Sequence, residues 1–139
     1  MKIDVHFEPA APLPDLTGST VVVIDVLRST SSMVEALVNG AQGVYPVAST
    51  EEAIKLASSL GRDDTILCGE ARGLMIEGFD LGNSPLEFSS ENVTGKRLVM
   101  STTNGTRAFF LVGDAVTVLA CSFMNLSAVA VAAMESDSI

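Results

Sequence analysis

The sequence predicts an α/β fold, a three-layer α/β/α sandwich with a largely parallel or mixed sheet. Three observations carry that expectation. Apolar runs of strand length alternate with segments of helical period. Gly or small polar residues mark each switch. One run, Thr20-Val21-Val22-Val23-Ile24-Asp25, is β-branched up to its last residue, the pattern of a strand covered on both faces. Alternating β and α units of this kind pair their strands in parallel through right-handed crossovers.

Taken in order, Met1 to Phe7 reads as a strand, and a connector holding Pro9, Pro12 and Pro14 leads to the β-branched run. Ser31 to Asn39 predicts a helix with Val34, Leu37, Val38 and Ala41 at core spacing and Gly40 as its stop. Gly43 to Val47 is a short strand. Ser49-Thr50-Glu51-Glu52 fits a capping box, opening a helix with Ala53, Ile54, Ala57 and Leu60 as its buried stripe and Gly61 as its end. Thr65 to Cys68 is the next strand.

From Gly69 to Phe88 regularity stops, in a stretch too long for an ordinary connector. Leu74, Ile76, Phe79, Leu81, Leu86 and Phe88 are apolar anchors that predict an ordered loop packed on the domain. A strand at Arg97 to Ser101, a helix near Thr106 to Val112, a strand at Ala115 to Leu119 and a helix at Asn125 to Met134 follow. That last helix is apolar or small nearly all round, so it is expected to be covered, by further chain or by a second copy in a homo-oligomer.

The 139 residues make one domain with room for a core, and the apolar last helix implies either a covering partner chain or a C-terminal part that is missing. Seventeen acidic against eight basic residues give a net charge of −9, which argues against nucleic acid as a partner. No apolar run is long enough for a membrane span. Asp4 stands where a signal peptide needs its apolar core, and Cys68 and Cys121 lack metal or redox spacing. A cytoplasmic protein with reduced thiols is expected.

Ligands of open α/β sheets bind beyond the carboxyl ends of the strands. Asp25-Val26-Leu27-Arg28-Ser29-Thr30-Ser31-Ser32 joins a buried strand to a helix start, where free N–H groups, Arg28 and the hydroxyls of Ser29 and Thr30 suit an oxyanion, and Asp25 suits Mg²⁺. Alone, the segment is equally well a solvated loop with a Ser N-cap. Glu70 and Arg72 suit proton transfer and anion clamping, or a local ion pair. In Gly78-Phe79-Asp80-Leu81-Gly82-Asn83-Ser84-Pro85, Asp80 suits a metal and Asn83 a substrate oxygen, or both serve turns. Thr102-Thr103-Asn104-Gly105-Thr106-Arg107 repeats the logic of the first loop.

Arg28, Arg72 and Arg107 are three of only five arginines, and all lie on these loops, which together predict a phosphoanion site. There is no Gly-x₄-Gly-Lys-Ser/Thr loop and no Cys-x₅-Arg loop, and Leu27 stands where an aspartyl-phosphate phosphatase of the haloacid dehalogenase type carries its second Asp.

Assembled in this order, Val23 to Ser31, Gly69 to Gly73, Gly78 to Pro85, Thr102 to Arg107 and Ser122-Phe123-Met124-Asn125 closely resemble the 2-phosphosulfolactate phosphatase family of coenzyme M biosynthesis. Ala71 departs from the basic or polar residue expected there. The resemblance implies an α/β/α fold, residues 1–139 as the N-terminal part of a longer member, and Mg²⁺-dependent hydrolysis of (2R)-phosphosulfolactate to sulfolactate and phosphate. On that footing Asp25 and Asp80 are expected to hold Mg²⁺, and Glu70 to transfer a proton. Arg28 and Arg107 would clamp the anion, with Ser29, Thr30, Arg72, Asn83, Thr103, Asn104, Gly105 and Thr106 beside them. Metal-activated water, or Asp25 itself, is the expected nucleophile. The alternative is a non-catalytic domain that binds a phosphoanion.

Overall fold

The β-branched run forms strand β1, Thr20–Ile24, and hands directly over to helix α1, Ser29–Val38. In this computed structural model, which describes residues 2–8 and 15–139, β2 (Gly43–Val47), α2 (Thr50–Leu60), β3 (Thr65–Ala71) and β4 (Leu74–Met75) come next. They are followed by the short α3 (Ser90–Val93), β5 (Arg97–Ser101), α4 (Gly105–Leu111), β6 (Thr117–Cys121) and α5 (Leu126–Ala133), with 3₁₀ turns at Arg62–Asp64 and Pro85–Glu87. The α/β expectation holds.

The strands form two hydrogen-bonded groups. β1 pairs parallel with β6, in register Thr20↔Thr117 to Ile24↔Cys121. The second group runs β2-β5-β3-β4, parallel except for the antiparallel β3–β4 hairpin. Helix α1 packs on both β6 and β2, and α4 on both β2 and β1, so helices join the two groups.

Alternation along β5 divides the interior in two. Leu98 and Met100 face a core with Met33, Ala36, Cys68, Phe88 and Val93, while Val99 faces one with Val47, Ala53, Ala57, Leu67 and Phe79. Both phenylalanines come from the long loop, and burying each is worth about 1.5–3 kcal/mol, enough to keep that loop ordered. Leu74 and Leu86, expected as further anchors, are instead exposed, because the loop is held by backbone bonds at Gly69 as well as by its rings.

Several boundaries differ from expectation. Met1 and Pro9–Pro14 lie outside the described residues, and the segment after Met1 is no strand. Lys2 makes only an isolated bridge to Ser138, and Ile3, Val5 and Phe7 find no face to bury against. α1 begins two residues early, and it buries Ser29, Thr30, Ser31, Ser32, Met33, Val34 and Ala36 while exposing Leu37 and Val38. Its hydroxyls tolerate burial because they have acceptors: backbone carbonyls of Asp25, Val26, Asn83 and Cys121 for Thr30, Ser31 and Ser32, and the Met100 sulfur for Ser29. In α2 the Ser49 hydroxyl accepts the Glu52 N–H at 3.2 Å, and Ala53 and Ala57 are buried while Ile54 is exposed. β6 lies two residues later than predicted.

α5 buries Val129 and Ala133 and exposes Leu126 and Val131, with Met134 exposed just after it. No described helix is long and apolar enough to cross a membrane.

Candidate functional site

Three segments at the carboxyl ends of β1, β3 and β5 meet, as the parallel pairing of β3 with β5 and the packing of α1 and α4 require. Two glycines make the approach feasible. Gly69, at φ +140°, lies so close to the Ser101 carbonyl that no Cβ fits, and its N–H donates to Leu81 O at 3.2 Å and Gly82 O at 3.0 Å. A Cβ on Gly105 would fall 2.6 Å from Asp25 Oδ2 and against the Ser29 side chain.

The result is an open cleft of about 380 Å³. The link from β1 to α1 contributes Asp25, Leu27 and Arg28, and Glu70 near the end of β3 is joined by Arg72 and Gly73 of the turn to β4. Asn83, Thr103 and Asn104 complete the lining. Seven residues singled out from the sequence are therefore brought together. Among the described residues neither Arg28 nor Arg72 forms an ion pair.

Electrostatics separate the carboxylates. Burial raises the pKa of Asp25, the Ser29 N–H opposes the rise and the Glu70 charge adds to it. Glu70 is also pushed up by burial, but N–H donors from Thr103 and Gly73, the Thr103 hydroxyl and the Arg28 charge outweigh that and leave it below its ordinary value. Asn83 is 5% exposed, and its side-chain oxygen has no partner among the described residues. Its backbone carbonyl accepts from the Ser32 hydroxyl at 3.0 Å, which fixes it to α1.

The remaining expected site residues are elsewhere. Asp80 does not line the cleft. Its carboxylate takes both Arg62 nitrogens, at 2.9 and 3.1 Å, and the Leu67 N–H at 2.8 Å, so it binds the loop to the start of β3. Burial pushes it up, but Arg62 and the Leu67 N–H prevail and hold it below its ordinary value. Ser29, Thr30 and Thr106 are fully buried. Thr30 Oγ1 lies 2.8 Å from Asp25 O and 2.6 Å from Cys121 O, while Thr106 exchanges bonds with Thr102, because hydroxyls in a first helical turn satisfy nearby backbone before any ligand. Arg107 and Gly105 line a neighbouring cleft of about 520 Å³ that shares Asp25 and Asn104 with the first.

With this geometry in hand, likeness to known proteins is specific. The 2-phosphosulpholactate phosphatase family matches residues 7–139. A probable 2-phosphosulfolactate phosphatase of Caldanaerobacter subterraneus subsp. tengcongensis is 51% identical over 116 residues, covering 84% of this chain and 48% of the relative. One from Thermotoga petrophila is 46% identical over 127 residues (91% and 52%), and one from Clostridium perfringens strain 13 is 48% identical over 134 (94% and 54%). The chain belongs to the 2-phosphosulpholactate phosphatase family.

It spans about half the length of the curated relatives it matches. In this family member, sequence reasoning missed Arg62, Ser32 and Gly73. Arg62 and Ser32 act across 18 and 51 residues of chain, and no local pattern announces such partners. Gly73 was recognisable as part of the turn, but its N–H bond to Glu70 depends on the hairpin that β3 and β4 form. Burial pushes both thiols up, Cys68 strongly, which disfavours their thiolate forms.

Proposed function

We propose that the cleft binds 2-phosphosulfolactate, the phosphomonoester of a small anionic three-carbon acid, and takes part in its Mg²⁺-dependent hydrolysis to sulfolactate and phosphate. The observation that carries this reading is the convergence of Asp25, Arg28, Arg72 and Asn83 from separate segments on one open cleft. The names of the relatives support the substrate.

Arg28 and Arg72 present planar, permanently charged donors that suit phosphate and sulfonate oxygens. Asp25 and Glu70 balance the two arginines, so a substrate carrying phosphate, carboxylate and sulfonate needs further positive charge. The donor set fits Mg²⁺, a hard cation held by one or two protein oxygens beside substrate phosphate and water. Asp25 and the unpartnered Asn83 oxygen are such donors, whereas the oxygens of Asp80 are already taken by Arg62 and Leu67. When bound, the ion would neutralise phosphoryl charge and acidify a water.

In the hydrolysis, a water oxygen bonds to phosphorus, the bond from phosphorus to the ester oxygen breaks, and the departing alkoxide takes a proton from that water. Arg28 and Arg72 hold the phosphoryl and acid groups through this change. Asn83 orients what its oxygen touches.

The test is phosphate release from 2-phosphosulfolactate by this chain and by a full-length relative, with and without Mg²⁺, beside binding of inorganic phosphate. Metal-dependent release that Arg28→Ala weakens about ten- to a hundredfold supports the reading. Metal-independent turnover overturns the role of Mg²⁺, and binding without hydrolysis in both proteins makes the cleft a phosphoanion-binding site only.

A further inference from the structure

Of the cleft's two carboxylates, Glu70 has the unusual surroundings. Its Oε1 receives the Thr103 N–H at 2.7 Å. Its Oε2 receives the Gly73 N–H at 2.6 Å and the Thr103 hydroxyl at 3.1 Å. That hydroxyl in turn accepts the Arg72 N–H at 3.1 Å. The bonds close a ring between the turn after β3 and the loop after β5, which lie 31 to 33 residues apart in the chain.

We infer that Glu70 is a positioning residue: its carboxylate latches the β3–β4 turn to the β5–α4 loop, and so fixes where Arg72 and Asn104 stand in the cleft.

Three observations carry this. Both oxygens already accept hydrogen bonds, three in all, and a carboxylate so satisfied is poorly placed to exchange a proton with a substrate atom. Arg72 has φ +55°, a left-handed conformation that a non-glycine residue keeps only where its surroundings over-determine it. The latch does so by engaging the N–H of Arg72 and of its neighbour Gly73. Finally, Arg72, Gly73, Thr103 and Asn104 all line the cleft, so a shift of either loop moves its wall.

The charged groups around the latch agree with it. Arg28 favours ionised Glu70, and the depressed pKa of Glu70 keeps the acceptor charged at neutral pH. The inference rests on the phosphatase reading only for its effect on turnover.

The experiment uses a full-length relative with the residues matching Glu70 and Thr103 changed. It measures hydrogen exchange of the Thr103 amide, KM, and the pH profile of kcat. Glu70→Gln puts an NH₂ where one oxygen accepts. It is expected to lower Thr103 amide protection about tenfold and to raise KM about tenfold, the loss of one or two such bonds. The shape of the kcat profile should be unchanged. Thr103→Val should raise KM similarly, the double variant should add little, and Thr103→Ser, which keeps the hydroxyl, should restore wild-type values.

A general acid or base would behave differently. Loss of one limb of the kcat profile in Glu70→Gln, with Thr103 protection intact, overturns the inference. So does an unprotected Thr103 amide in the unchanged enzyme. If the enzyme releases no phosphate at all, the phosphatase reading fails instead. Amide exchange still decides the latch, which stands if Glu70→Gln lowers protection and falls if it does not.

Discussion

Arg62 grips Asp80 through both carboxylate oxygens, at 2.9 and 3.1 Å, while the Leu67 N–H donates to the same carboxylate at 2.8 Å. An aspartate that reads from the sequence as a metal ligand is thus a tether for the loop that delivers Asn83. Both partners are nearly half exposed, so the pair itself is worth only about 0.2–1 kcal/mol. The buried Leu67 N–H matters more, since losing its acceptor costs about 1–3 kcal/mol. Asp80→Ala is therefore expected to destabilise the fold more than Arg62→Ala in denaturant titrations. Mg²⁺ affinity in Asp80→Asn should stay within about threefold of the parent. A loss of about a hundredfold would restore Asp80 as a ligand.

Asn83 offers the complementary case. Its buried oxygen has no partner among the described residues, so Asn83→Ala removes a group that is poorly compensated in the free protein. Stability should hold or rise slightly, while substrate or Mg²⁺ binding weakens about tenfold or more, the value of one polar contact to a charged group. Thermal unfolding and calorimetric titration on the same sample check both halves.

The sign of the Asp25 effect runs opposite to that of Glu70 and Asp80. Its raised pKa means the folded state holds the proton more tightly than the unfolded state does, so stability declines as pH rises from the ordinary carboxylate value through the raised one. Glu70 and Asp80, both lowered, contribute stability that is present above their ordinary range and lost as pH falls through their depressed values. Asp25→Asn should therefore raise the melting midpoint at neutral pH without Mg²⁺ and abolish the rise that Mg²⁺ gives the parent. A lowered midpoint would show that ionised Asp25 stabilises the fold.

Arginine positions predict a graded series. Arg28→Ala and Arg72→Ala should each weaken binding or turnover by about 1.5–3 kcal/mol, the range for charge-assisted contacts. Arg107 lines the neighbouring cleft, so Arg107→Ala should cost less. Steady-state kinetics on all three variants, with circular dichroism to confirm folding, settles the order. An Arg107 effect equal to that of Arg28 would place substrate across both clefts.

Gly105→Ala tests the packing that forms the site. The added methyl would meet Asp25 Oδ2 and Ser29, and forcing it in is expected to cost about 1–3 kcal/mol. The melting midpoint should fall and activity with it. Gly113→Ala is the control, since a Cβ there meets nothing nearer than 3.7 Å.

The sequence by itself determined the α/β class, most strand positions and the segments that form the cleft. These follow from local rules: β-branched runs, helical spacing, a capping box, and glycine where backbones crowd. Gly43–Val47 and Arg97–Ser101 fall where the pattern placed them. Tertiary structure alone decided which polar groups in those segments face the cleft. Asp80 and Asp25 look alike in sequence, yet Arg62 claims one while the other faces the cleft. Ser29, Thr30 and Thr106 look ready for phosphate, yet the fold buries them. The physical reason is that each polar group takes the best partner within reach, and that partner can lie far away in the chain, 91 residues in the case of Thr30 and Cys121.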